Sequence, residues 1–200
     1  MRGGKGLWLA VALLGLVPGA VRREGYRIEK ILFESQPQFY VTGLLYVPDA
    51  LSAPVPGVLV PCGHSAGGKD QDAYQWACIQ LAKSGMVALI YDPVDQGERM
   101  QLLDAQGKAR VGGTAAHSRL GVGSILLGRS TATFRIWDGM RALDYLASRP
   151  EVDASRLGCT GNSGGGTLTS YLMALDPRIR VAAPSCYITD LRHVIERIGP

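Results

Sequence analysis

Apolar residues fall into short runs along this chain, set apart by glycine, proline and polar clusters, and the spacing within each run predicts its element. Tyr26–Glu34 and Phe39–Val47 are rich in Tyr, Ile, Phe and Val and are separated by Ser35-Gln36-Pro37, which predicts an antiparallel strand pair. Val58-Leu59-Val60, bounded by Pro56-Gly57 and Pro61, reads as a fully buried strand that runs into a polar glycine loop, Cys62 to Lys69. Asp72–Ser84 places Tyr74, Ala77, Cys78 and Leu81 at helical spacing, with Gly85 as the stop. Met86–Tyr91 is a second buried run. Ile136, Met140, Leu143 and Ala147 give Thr131–Ser148 an amphipathic helical stripe. Leu157–Thr160 reads as a short strand, Thr167–Leu175 as a helix and Arg180–Ala183 as a further apolar run. Between Asp92 and Ser130 no period is sustained, and a stretch of that length predicts a functional insertion or an active-site loop.

Strands alternating with helices predict an α/β fold with a mostly parallel central sheet flanked by helices on both faces. No internal repeat or low-complexity tract interrupts the order. The composition agrees, since 46% hydrophobic and 19% charged residues over 200 positions exclude disorder. The formal charge of +4 includes Arg2 and Lys5 in a leader-like segment, so the rest is close to neutral and gives nucleic acid no support.

That leader-like segment, MRGGKGLWLAVALLGLVPGA at residues 1–20, has a basic start, an apolar run from Leu7 to Val17 and small or turn-forming residues after it. The layout predicts a secretory signal peptide and an exported, periplasmic or secreted protein. The run is too short for stable membrane insertion, which takes about 20 residues. Cys62, Cys78, Cys159 and Cys186 show no C-x-x-C spacing, so no metal site is implied. Three of them lie in or beside apolar runs, where buried free thiols are usual, and the sequence leaves their disulfide state open.

The chemistry concentrates at Gly161-Asn162-Ser163-Gly164-Gly165, a G-x-S-x-G pattern between an apolar strand and a helix. In a nucleophile elbow the serine occupies a sharp strand-to-helix turn, and the glycines permit the strained backbone and close helix packing. A P-loop would require a lysine after the glycines, and a dinucleotide fingerprint would require G-x-G-x-x-G; neither is present. A merely tight turn is the non-catalytic alternative. A serine nucleophile also requires oxyanion donors. The backbone N–H of Gly164 is the first candidate, and the N–H of Gly63 or His64, in the loop after Val58–Val60, is the second. The His64 side chain reads as a loop histidine with a structural hydrogen bond. No cofactor is called for.

With the segments PCGHSAGGK (61–69), YDPVDQGER (91–99), WDGMRALDYLASRPEVDASRLGCTGNSGGG (137–166) and ALDPRI (174–179), the chain resembles the α/β-hydrolase superfamily in its acetylxylan-esterase and dienelactone-hydrolase-like branch. The resemblance covers residues 26–195. It implies an α/β-hydrolase fold, Ser163 as nucleophile, and cleavage of carboxylic esters through an acyl-enzyme. Small-molecule or carbohydrate esters, acetylated sugars first, are the implied substrates; serine peptidase, lactone hydrolase or a non-catalytic binding protein of the same fold are the alternatives. Many members carry glycine at or near Asp95, so Asp95, Glu98 and Arg99 either line the pocket or lock their turn by ion pairing.

In this fold the triad follows the chain order serine, acid, histidine. After Ser163 come only Asp176, Asp190, His193 and Glu196. Asp176 lies in an Asp-Pro turn, a structural position. Asp190 follows an apolar run and is the possible acid. His193 reads as a surface residue, and His117 as pocket-lining or solvated. The expectation is therefore that residues 21–200 form the N-terminal part of one α/β-hydrolase domain, with the strands that carry the base lying beyond the chain. The fragment alone is then expected to be inactive.

Overall fold

The computed structural model describes residues 19–197. Its seven strands are β1 (Ala20–Arg23), β2 (Tyr26–Gln36), β3 (Phe39–Pro48), β4 (Val55–Pro61), β5 (Val87–Tyr91), β6 (Val152–Asn162) and β7 (Ile179–Ser185), in one sheet ordered β1-β2-β3-β5-β4-β6-β7. Five α-helices and a 3-10 turn (Gly68–Asp70) complete the described residues: α1 (Asp72–Lys83), α2 (Gly113–Leu126), α3 (Thr131–Ser148), α4 (Gly164–Leu175) and α5 (Leu191–Arg197). β5, β4, β6 and β7 are parallel; β3 runs antiparallel to β5, and β2 and β1 alternate in turn. The α/β fold expected from the pattern is the one observed.

Side chains alternate between the two faces of the sheet, and that alternation builds two cores. On one face Leu45, Leu59, Leu89, Leu157 and Phe33 pack with Leu143 and Leu146 of α3 and Leu172 of α4. On the other, Tyr46, Val58, Val60, Ala88 and Ile90 pack with Cys78 and Ala82 of α1. Each such aliphatic burial contributes about 1.5–3 kcal/mol. Because helices cover both faces, β4 and β5 read as continuous apolar runs rather than alternating ones.

Three expectations require correction. The segment from Asp92 to Ser130 is not irregular throughout, because α2 occupies Gly113–Leu126. Only Ala116 and Ser124 of that helix are buried, and glycines interrupt it, so no apolar stripe announces it. β6 begins at Val152, five residues before the apolar core of the strand, through the polar stretch Asp153-Ala154-Ser155-Arg156. On α3 the expected Ile136, Met140, Leu143 and Ala147 do pack on the core, but only Leu143 is fully buried, and the buried face centres about one residue away, through Arg135, Asp138, Gly139, Ala142, Leu143 and Leu146. Of the expected leader, residues 1–18 lie outside the described residues; Ala20 opens the exposed edge strand β1, which pairs with β2.

Candidate active site

β6 ends at Asn162 and α4 begins at Gly164, leaving Ser163 alone in the turn with φ +55° and ψ −119°. For a non-glycine residue that left-handed backbone costs about 1–3 kcal/mol and persists only where its surroundings enforce it. Here the Ser163 N–H donates to the Ser185 carbonyl at 2.9 Å, and the Thr167 N–H donates to the Ser163 carbonyl at 2.9 Å. The glycines are steric necessities. A Cβ on Gly165 would stand 2.2 Å from the Pro61 carbonyl oxygen, and one on Gly166 would stand 2.3 Å from that of Ser185. The elbow is thus pinched between the ends of β4 and β7.

The loop after β4 passes directly beside the serine. A Cβ on Gly63 would lie 2.5 Å from the Asn162 carbonyl oxygen and 3.5 Å from Cβ of Ser163. The Gly63 backbone hydrogen-bonds the Tyr74 hydroxyl. The N–H of His64 has no partner among the described residues, and the Gly164 N–H, first in its helix, has no intrahelical acceptor. Two unpartnered amides therefore flank the serine, at the positive end of the α4 dipole.

This loop is held from below. Gln96 Nε2 donates to the carbonyls of Gly63 and Ser65 at 2.8 and 2.9 Å. The fully buried Asp92 accepts from the Lys69 N–H, the Lys69 ammonium, Thr42 Oγ1 and the Glu98 N–H. Burial disfavours the Lys69 charge, but hydrogen bonds to Asp92 and Glu98 outweigh that cost and raise its pKa. Arg99 reaches Asp138 on α3 at 2.8 Å. Glu98 and Arg99 thus lock their turn by ion pairs. Asp95 does so differently: at φ +59° it accepts from the Gln101 N–H at 2.7 Å and makes no ion pair among the described residues.

Beside the elbow stand two histidines. His117 Nε2 lies 2.8 Å from the Val94 carbonyl oxygen, an acceptor only, so this nitrogen carries the proton. His117 Nδ1 then accepts from His64 Nε2 at 3.2 Å. The chain of donors leaves His64 Nδ1 as a bare lone pair, close against Gly164. Burial, with Arg135 and His117 nearby, lowers the His64 pKa to about 4, so this imidazole is neutral near pH 7.

Ser163, Gly164, Gly63 and His64 come together as one site. Asp190 and His193 do not join it: they pair with each other at 2.7 Å, exposed at the start of α5. Asp176 pairs with Arg178 at 2.6 Å. Among the described residues no hydrogen bond joins the Ser163 hydroxyl to an imidazole. Sequence reasoning left three neighbours of the site unassigned: Gln96, the His64–His117 relay and Arg135. Arg135 escaped because it lies on the buried face of α3 and not on the stripe of Ile136, Met140, Leu143 and Ala147 that the spacing suggests.

A serine at positive φ between strand and helix, in a sheet of this order, defines the α/β hydrolases. Within that class the chain belongs to the acetyl xylan esterase (AXE1) family, which matches residues 16–198. It is similar in structure to Methylesterase BT1017, with 30% identity and a TM-score of 0.70 over 92% of this chain and 38% of that one. The acetyl xylan esterase from Paenibacillus sp. R4 shares the fold at 23% identity and a TM-score of 0.69, over 90% of this chain and 56% of that one. YtaP of Bacillus subtilis (strain 168), which bears a hydrolase name, is 38% identical over 71 residues, 36% of this chain and 23% of its own. The chain thus spans from under a quarter to just over half the length of these relatives. No helix among the described residues is long and apolar enough to cross a membrane.

Proposed function

We propose that this chain carries the nucleophile and oxyanion elements of an exported serine hydrolase that cleaves carboxylic esters, with acetyl esters of carbohydrates as the favoured substrates. The observation that carries the reading is Ser163 held at φ +55° between two unpartnered backbone N–H groups. Ser163 Oγ attacks the ester carbonyl and its proton passes to a histidine supplied by the remainder of the protein. The N–H groups of Gly164 and His64, with Gly63 as the close-packed neighbour, hold the oxyanion. Collapse expels the alcohol and leaves an acyl-enzyme, which water cleaves to the acid. Asp190, which in this chain pairs with His193 away from Ser163, is the acid candidate among the described residues. No cofactor takes part.

Acetylated xylo-oligosaccharides, methyl-esterified oligosaccharides, p-nitrophenyl acetate, a lactone and a peptide, offered to the complete protein, separate the substrate classes. The methyl esters are included because of the similarity to a methylesterase. Release of acetate from the first, and covalent labelling by a fluorophosphonate that Ser163→Ala abolishes, are the expected results. Persistent labelling of the alanine variant would show that Ser163 is not the nucleophile. No turnover and no labelling of the complete protein would leave a binding protein.

A further inference from the structure

Most buried charges around the elbow are paired: Lys69 with Asp92 and Glu98, and Arg99 with Asp138. Asp95, held by the Gln101 N–H, and Arg135 are not, and Arg135 is the one that reaches the elbow. It enters from α3, 8% exposed, and its Nε and Nη2 have no hydrogen-bond partner among the described residues. A Cβ on Gly164 would stand 3.6 Å from that Nη2. The guanidinium therefore lies under the first residue of α4, the residue whose N–H faces the developing oxyanion. An unpaired buried charge costs several kcal/mol or more, and a folded protein retains one where function uses it.

The groups facing Arg135 do not neutralise it. From β5 comes Tyr91, from the end of β4 Cys62, from the loop and α2 His64 and His117, and from its own helix Asp138. Tyr91 and Cys62 are held in their uncharged forms by burial. One Asp138 oxygen is taken by Arg99 at 2.8 Å, the other has no hydrogen-bond partner among the described residues, and the Ser35 hydroxyl also favours the charged carboxylate. Two cations thus share one carboxylate. The remaining buried anion, Asp95, acts on His117, at the far end of the histidine pair from Arg135. Within the trio of Arg99, Arg135 and Asp138 one positive charge is therefore in surplus, and it sits on Arg135, the member next to the elbow.

We infer that Arg135 is a positioning residue for the reaction proposed above: its fixed, unpaired charge beneath Gly164 stabilises the oxyanion and opposes a second positive charge on the His64 ring that packs against the same glycine. Backbone amides contribute dipoles to an oxyanion; Arg135 adds a full charge, in a place where solvent screens it little. The inference rests on Ser163 being the nucleophile.

The test compares Arg135→Met and Arg135→Lys in the complete protein, using p-nitrophenyl acetate turnover, the rate of Ser163 phosphonylation by an uncharged fluorophosphonate, and the His64 titration followed by NMR. Arg135→Met is expected to lower kcat and the phosphonylation rate by about 10- to 100-fold, with KM changing less than about threefold. His64 should then titrate at higher pH. Arg135→Lys, which keeps the charge, should recover most of the loss and leave His64 near its original titration. Wild-type phosphonylation in folded Arg135→Met overturns the inference. So does equal loss in both variants with His64 unmoved, which would mark a packing role. Persistent labelling of Ser163→Ala is a separate outcome: it removes the nucleophile on which the inference stands.

Discussion

The peptide at Gly164 lies against the imidazole of His64, and a Cβ on residue 164 would stand 2.8 Å from both Cε1 and Nδ1 of that ring. Gly165, one residue on, faces backbone instead, with the Pro61 carbonyl oxygen 2.2 Å from its missing Cβ. The two glycines are therefore expected to fail differently. In Gly164→Ala a side chain can swing aside, so the fold should survive with a loss of about 1 kcal/mol while the His64–His117 hydrogen bond is broken and activity falls. In Gly165→Ala the strand β4 itself must shift, at about 3 kcal/mol or more. Urea titration of both variants, with the His64 ring followed by NMR, separates the two effects; equal destabilisation would mean that the loop after β4 is as rigid as the strand.

Much of this site is legible in the sequence because steric rules leave few solutions. A G-x-S-x-G between an apolar strand and a helix places the serine, and Pro61 followed by a glycine loop places the partner backbone. The strand pair Tyr26–Glu34 and Phe39–Val47, and the buried runs at Val58–Val60 and Met86–Tyr91, are legible because each apolar run has one economical way to be buried. What escapes has no local signature. α2 carries no stripe because little of it packs on the core. Arg135, Gln96 and the His64–His117 pair are brought together from separate elements, and one chain's spacing does not encode a contact such as the 53-residue separation of those histidines.

Arg99 and Asp138 form a nearly solvent-free ion pair at 2.8 Å that ties the turn after β5 to helix α3. Arg99→Met removes one partner and leaves a buried carboxylate, which costs about 3–5 kcal/mol. Replacing both, as Arg99→Met with Asp138→Leu, should cost less than the single change, because the carboxylate is no longer buried without its Arg99 partner, while Arg135 is without a hydrogen-bonded anion among the described residues in either protein. Burial already raises the Asp138 pKa against the opposing pull of Arg99. The single variant should therefore recover part of its stability at acid pH, where the carboxyl is neutral. Chemical denaturation of the three proteins at pH 7 and pH 5 reads both effects, and a double variant weaker than the single one would contradict the argument.

The four cysteines divide sharply. Cys62, Cys78 and Cys159 are buried and free, and Cys186 is exposed and free. Burial raises the pKa of the first two well above the ordinary thiol range and that of Cys159 to about 12, so both access and thiolate content oppose their reaction. A disulfide-exchange reagent at pH 8 should modify one thiol per folded chain quickly and three more only on unfolding. Cys186→Ser should remove the fast phase and no other. A second fast thiol would mean that the sheet ends near Cys62 open on that timescale.

The histidine pair gives the pH dependence of stability a definite sign. The His64 pKa is about 4 in the folded chain against an ordinary 6.5, and burial lowers that of His117 as well. Between those two values the unfolded chain binds more protons than the folded one, so stability rises with pH across this window and is lost as pH falls through it. Burial is the main cause for both rings; the hydrogen bond to the Val94 carbonyl favours protonation of His117, and of the charged groups Arg135 opposes protonation of both rings while Asp95 favours it at His117. Ion-paired carboxylates such as Asp176, held low by the hydrogen bond from Arg178, lose their contribution only at more acid pH, and so the windows separate. The urea midpoint should therefore drop between pH 6.5 and pH 4.5, and replacing both rings, as His64→Gln with His117→Gln, should flatten that slope while leaving the drop below pH 4. An unchanged slope in the double variant would show that the rings are charged in the folded protein, and the tautomer that presents a bare Nδ1 to Gly164 would fall with it.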